Sequence, residues 1–388
     1  MKCKLNKKSI IAFLGTVLLL FNFGITYAFW ASSIQGDINQ ANANVSIGSW
    51  QFLPPGFVGV SQNGNGNFIT LDQIGTPEYP ASGNYKLVEN INYLNNSFTP
   101  IANFSGQFHG DGFVISNLTV SSTASVIGIF AQNSGLITQV GFQNINISSS
   151  TTNDLTVGGV VGNNMGTISF VYSTGSIDVD SIKSTTVNNE TMTQQLFVGG
   201  IAGLNSGTIH HTHSSMSIIA DSTASAASPR SIVTANTYAG GLVGRNASTG
   251  SITISYATGS INASATGIRS NGNSTSNAYS YAGGLVGENI NTASVSHSFA
   301  IGNITSVATS TNTQISYAGG LIGQGSSTTS YRLNTQSITG GTINTTGIST
   351  TATNLQSESF VTANLGWSTD NWLFQTSLYP RLKSNLYN

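Results

Sequence analysis

His210, His211 and His213 fall within a four-residue stretch, and Asp178 and Asp180 stand two residues apart. These are the densest groupings of side chains able to do chemistry. Imidazoles on one strand face could ligate zinc at about 2.0–2.1 Å. Two carboxylates separated by about 5 Å, or by about 7–9 Å, could serve as the pair that hydrolyses a glycosidic bond. Which of these is realised depends on the elements that carry the residues, and those elements repeat.

Five nearly identical phrases punctuate the chain: Val157-Gly-Gly-Val-Val-Gly162, Val198-Gly-Gly-Ile-Ala-Gly203, Ala239-Gly-Gly-Leu-Val-Gly244, Ala282-Gly-Gly-Leu-Val-Gly287 and Ala318-Gly-Gly-Leu-Ile-Gly323. A looser copy, Val126-Ile-Gly-Ile-Phe-Ala131, precedes them, and the starting positions differ by 31, 41, 41, 43 and 36 residues. Such a period implies stacked units, each burying its apolar face against its neighbours. Aligning the copies brings Asn133, Asn164, Asn205, Asn246 and Asn289 into one column, which only Gly325 breaks. Asparagine tolerates left-handed backbone, so a ladder of asparagines along a tight corner is expected. Ile168-Phe170-Tyr172, Ile209-His211-His213, Ile252-Ile254-Tyr256 and Val295-His297-Phe299 then alternate as half-buried strands. After a Gly or Met bend, Ile177, Ile218, Ile261 and Ile304 begin a third strand.

Three short strands per repeat predict an all-β, right-handed parallel β-helix with capped ends. A coil needs only about 20–25 residues, so the surplus must leave it, and it does so just before each Gly-Gly. Alternation on either side of Asn271-Gly272, and Asn188-Asn189 in an earlier repeat, predict hairpin-like arms.

The columns decide the chemistry. His213 replaces Tyr172, Tyr256 and Phe299, and His211 replaces Phe170 and Ile254, so both are expected as packing residues. His297 lies two coils from His211, about 9–10 Å away at strand spacing, too far to share a metal. Asp178 and Asp180 share a face, but no other repeat is read as supplying a third ionisable group in line, which favours a solvated pair. Phe197, Tyr238, Tyr281 and Tyr317 form another column, expected to stack as a structural ladder. The reading therefore assigns no catalytic, cofactor-binding or metal-binding residue.

Of 388 residues 44 are glycine, 6% are charged and 39% are apolar, which suits a solenoid coated with small polar side chains. Lys2, Lys4, Lys7 and Lys8 precede an apolar run from Ile10 to Phe23, and Thr26-Tyr27-Ala28 follows. This predicts a signal peptide at 1–28, cleaved near Ala28, and hence a secreted or cell-surface protein. A linker is expected at 29–50 and the β-helix at 51–388: first coils at 75–125, repeats at 126–335, a last coil and cap at 336–388. The four lysines are a third of the twelve basic residues; without them eight basic face thirteen acidic residues, a net charge of −5. That balance disfavours nucleic acid, and no further run is long enough for a membrane span. The one cysteine, Cys3, falls in the leader, so no disulfide is expected after export.

Ala239-Gly-Gly-Leu-Val-Gly-Arg-Asn246 with Ile252-Thr-Ile-Ser-Tyr-Ala-Thr-Gly259 resembles the GLUG-motif repeat family. The His109-Gly-Asp-Gly112 segment is similar to the stretch that leads such arrays, and Gly366-Trp367 with Tyr379-Pro-Arg-Leu382 to their ending. The resemblance implies a bacterial secreted or surface protein, since the family includes adhesins and the non-catalytic part of some immunoglobulin A1 peptidases. The peptidase itself is not expected, because no His-Glu-x-x-His phrase occurs. The function expected is an adhesion module binding glycans or host and cell-surface proteins through its outer face and loops. The alternatives are a carbohydrate-active hydrolase or lyase and, third, an ice- or mineral-surface binder.

Overall fold

The computed structural model describes residues 53–270 and 272–383. The expected signal peptide and linker, and Asn271 of the expected Asn271-Gly272 turn, lie outside them.

The chain winds into a parallel β-helix whose coils contribute to three sheets, one of 19 strands and two of 7. One seven-stranded sheet ends in the Gly-Gly phrases, as in Thr191–Gly199, Ile232–Gly240 and Thr275–Gly283. The other ends in the asparagine column, as in Ala202–Asn205, Val243–Asn246 and Val286–Asn289. Between them the chain turns so tightly that a Cβ on Gly199 or Gly240 would collide with the carbonyl of Ala202 or Val243. The phrase recurs because only glycine admits that approach. Neighbouring coils pair in register, and Ile177, Ile218, Ile261 and Ile304 form one column. Ile209, Ile252 and Val295 are fully buried in the main core. Repeated residues thus meet their own kind, each coil burying what its neighbour leaves open. The stack begins at Phe57–Val60, which pairs with Asn84–Leu87, ahead of the first coils expected from residue 75.

Four expectations are corrected. The asparagine ladder exists: Nδ2 of Asn133, Asn164, Asn205 and Asn246 each donates to Oδ1 of the next at 2.8 Å. Its members are buried strand-end residues, however, and none has left-handed backbone. That conformation falls instead on Asn117 and Asn144 of the early coils, which form a second, exposed amide ladder.

The arms are not hairpins. The outgoing strand Ser217–Ala226 and the returning strand Ile232–Gly240 lie in different sheets, each hydrogen-bonded to its counterparts in adjacent coils. Together the arms make a two-layered fin, closed between its layers by small residues such as Ala224, Ala235, Ala265 and Ala278. Backbone groups satisfied by neighbouring coils have no need of a partner within the arm.

The strand carrying the histidines does not alternate smoothly. Phe170, His211, Ile254 and His297 have φ of 54, 51, 50 and 52°, in the left-handed region. The kink reverses the faces: Ile209 and Ile252 enter the main core, whereas Tyr256 and Phe299 belong to a separate cluster.

That second cluster holds the fourth correction. The tryptophans of the segment expected as last coil and cap, 336–388, pack on the flank of the stack. The C-terminal segment forms two short helices, Ala352–Leu355 and Glu358–Leu365, and Gly366 ends the second with φ of 68°. Side-chain caps start both, Thr351 accepting from the Asn354 amide and Ser357 from that of Phe360. Leu355, Val361, Leu365, Trp367 and Trp372 then pack on Tyr256, Phe299 and Tyr331 along the flank of the late coils.

Candidate functional site

The kinked strand lays two columns of rings on the outside of the coil. In one, Tyr172 stacks on His213 at 5.1 Å, His213 on Tyr256 at 4.8 Å and Tyr256 on Phe299 at 4.8 Å. In the other, Phe170 stacks on His211 at 4.7 Å. The C-terminal segment straps the late part of both. Trp367 Nε1 donates to the His297 carbonyl at 2.7 Å, and the Tyr256 hydroxyl to the Pro380 carbonyl at 2.7 Å. The Trp372 ring lies 6.4 Å from those of His211 and His213.

Under this strap the histidines are packing groups. Asn371 Nδ2 donates to Nε2 of His211 at 3.2 Å, so neutral His211 carries its proton on Nδ1 and gives it to Nδ1 of His210 at 2.9 Å. Burial pulls His211 down to about 4, with His210 adding to the effect. Burial and the Arg381 charge pull His213 down to about 3.

Between the described residues of the strap and the early coils lies a groove of about 580 Å³. Phe170, Tyr172, Gly141 and Val114 line it on the coil side, and Tyr379, Arg381 and Lys383 on the strap side. Gly141 pairs with Tyr172 across the ladder, and a Cβ there would collide with the Tyr172 ring. The groove went unnoticed in the sequence. Its signal was present as the substitution of Gly141 and Gln139 for rings in the two columns.

The carboxylates lie elsewhere, on the face of the fin continuous with the 19-stranded sheet. Asp178 and Asp180 are exposed, and Asp180 pairs in register with Asp221 of the next coil. The expectation of no third ionisable group in line is therefore overturned. Burial raises the Asp221 carboxyl, the Asp180 and Asp178 charges raise it further, and a hydrogen bond from Ser264 opposes them. The signal was legible, because the 41-residue offset that relates Ile177 to Ile218 also carries Asp180 to Asp221. Thr223, Thr266 and Thr309 form a neighbouring threonine column on the same face.

The ring column before each Gly-Gly stacks as expected: Phe197 on Tyr238 at 4.9 Å, Tyr238 on Tyr281 at 4.8 Å, Tyr281 on Tyr317 at 5.4 Å. Arg245 lies over the Phe197 and Tyr238 rings and pairs with Glu288 at 2.7 Å. Rings stacked at this spacing hide their faces in one another, so the column stabilises the ladder and offers a ligand mainly its edges. Among the described residues no group of three or more His, Cys, Asp or Glu is arranged to hold a metal ion. None of their helices is long and apolar enough to cross a membrane.

Residues 235–262 and 278–305 each match the model of the GLUG motif. The crystal structure of a candidate immunoglobulin A1 protease from Bacteroides ovatus is similar over 77% of this chain and 85% of that one, with a TM-score of 0.51 and 21% identity. At that identity the likeness is one of fold. No curated protein matches the chain.

Proposed function

Since the chain carries GLUG-motif repeats wound into a parallel β-helix, we propose that it is an exported bacterial surface or adhesion module that binds glycan or protein through its outer face and does no chemistry. The fin carries this reading. Length beyond a coil is invested in arms, and the arms stack into a thin plate with two flat faces. On one face Thr193, Thr234, Asn277 and Thr313 form a column, flanked by Gln195, Asn236 and Tyr279. Evenly spaced short polar side chains on a rigid plate suit recognition of an extended partner. His211 and His213 support the reading from the other side, their imidazoles being stacked among aromatic rings beside Trp372.

The test is adhesion of the exported chain to glycan and host-protein arrays. Thr193→Lys, Thr234→Lys and Asn277→Lys together should leave the circular dichroism unchanged and abolish binding. Persistence of adhesion with both fin faces altered would remove the proposal.

One observation favours a second reading. Asp178, Asp180 and Asp221 stand together on the other face, as carboxylates of a carbohydrate-active enzyme could. Turnover of a polysaccharide that disappeared in Asp180→Asn and Asp221→Asn would establish the enzyme; the proposal expects no turnover to begin with.

A further inference from the structure

Beyond the fin, and independently of it, we propose that the groove where the two ring columns end is a binding site for a carboxylated pyranose, a uronate or sialate residue of a glycan.

The first argument is where the stacks stop. Phe170 is covered on one side by His211, and Tyr172 by His213. One coil earlier the same two columns hold Gln139 and Gly141, neither of which has a ring. Among the described residues the other ring near Phe170 is that of His210, edge-on at 5.9 Å, and Tyr172 rests over the Gly141 backbone, where a Cβ would collide with it. Both residues line the groove and stand two positions apart on one strand. They are half-buried rather than sealed in the core. The parts of these rings that line the groove attract positively polarised C–H groups, which a pyranose presents across its ring. Phe170 and Tyr172 thus give the groove an aromatic lining of the kind sugars pack on, with Tyr172 seated over the Gly141 backbone.

The second argument is the wall. Gln139 and Gln143 bring planar amides to the groove and Thr174 a hydroxyl. A sugar needs such donors and acceptors around its rim. The volume falls in the range of roughly 300–1,000 Å³ typical of small-ligand sites, enough for a short stretch of glycan.

The third argument fixes the charge. Arg381 and Lys383 form the strap side of the groove, and neither makes an ion pair among the described residues. The groove's carboxylate, Asp111, is committed to Lys86 at 3.1 Å. A chain with so few charges has placed two cations beside an aromatic floor. A guanidinium receives a carboxylate through two parallel hydrogen bonds, which makes Arg381 the group that reads the acid.

The experiment is titration of the full chain with a glucuronate- or sialate-terminated oligosaccharide and with its neutral counterpart, by calorimetry and saturation-transfer NMR. The acidic sugar should bind saturably, with its ring protons in contact with protein. Tyr172→Ala should weaken it at least about tenfold. Tyr172→Phe, which keeps the ring, should retain binding. Arg381→Gln should reduce the acidic sugar to the level of the neutral one. Unchanged tryptophan fluorescence in each variant shows that the strap remains seated. Three outcomes overturn the proposal: no saturable binding of either acidic sugar, binding indifferent to Tyr172→Ala and Arg381→Gln, or a mononucleotide that binds with the same sensitivity to both variants. Loss of fin-dependent adhesion leaves these results unaffected, so the two proposals fail separately.

Discussion

The hydroxyl of Tyr256 donates to the carbonyl of Pro380 at 2.7 Å, joining a coil residue to one 124 positions later. Pro380 is buried, so its carbonyl has little recourse to water. Tyr256→Phe should therefore cost about 1–3 kcal/mol of strap stability, the penalty of a buried acceptor left unmade. Trp367→Ala, which removes a fully buried ring, should cost about 3–5 kcal/mol. Urea unfolding followed by tryptophan fluorescence measures both, and equal stability of Tyr256→Phe and wild type would show the bond to be idle.

Acid should loosen the strap. His211 and His213 are lowered to about 4 and about 3 in the folded protein, against an ordinary value of 6.5. The released state therefore binds more protons anywhere between these values. Docking is fully stable above about pH 6.5 and weakens as pH falls toward 4 and then 3. The expected observation is a red shift of Trp367 and Trp372 emission in that window, displaced or lost in His213→Phe. A flat emission profile from pH 7 to 3 would contradict it.

The asparagine ladder predicts an asymmetry between two substitutions. Asn246 accepts from Asn205 and donates to Asn289, both at 2.8 Å, within the buried column. Asn246→Ala leaves one donor and one acceptor without partners and should cost about 2–4 kcal/mol. Asn246→Asp cannot donate when ionised and also buries a charge, so it should cost more at neutral pH and recover in mild acid. Thermal unfolding at two pH values separates the cases.

Arg245 and Glu288 form the partly buried pair beside the ring column, their side chains 29% and 10% exposed. Burial raises the Glu288 carboxyl while Arg245 opposes the rise. Arg245→Ala should destabilise by about 3–5 kcal/mol, because it strands the carboxylate and removes the cation over Phe197 and Tyr238. Adding Glu288→Gln should restore most of the loss. If the double variant proves no more stable than Arg245→Ala alone, the charge is not the cause.

Ile252→Asp probes the main core. The position is fully buried between Ile209 and Val295, and a carboxyl group there has no partner. A loss of several kcal/mol in thermal unfolding is expected. An unchanged melting temperature would contradict the inward orientation.

Much of this architecture was legible because in-register parallel stacking converts sequence period into contact. A residue meets its equivalent one repeat away, so Asn205 beside Asn246, Ile209 beside Ile252 and Tyr238 beside Tyr281 could be read directly from the alignment of the copies. The same arithmetic contained Asp180 beside Asp221, since both lie three residues after aligned isoleucines. The arms were legible as excursions but not as arches. Alternation is the same whether a strand pairs within its own arm or with the next one.

What only the tertiary structure decided is what lies outside the coil. Phe170, His211 and Ile254 carry no side-chain signal for left-handed backbone, yet all three adopt it at equivalent positions of successive coils. That kink turns Tyr172, His213, Tyr256 and Phe299 away from the main core, and the C-terminal segment, whose Trp367 stands 70 residues beyond His297, packs on Tyr256 and Phe299. Period cannot encode such a contact, because Trp367 and Trp372 belong to no repeat. The groove beside Phe170 and Tyr172, lined on its other side by Tyr379 and Arg381, likewise follows from packing between distant parts of the chain.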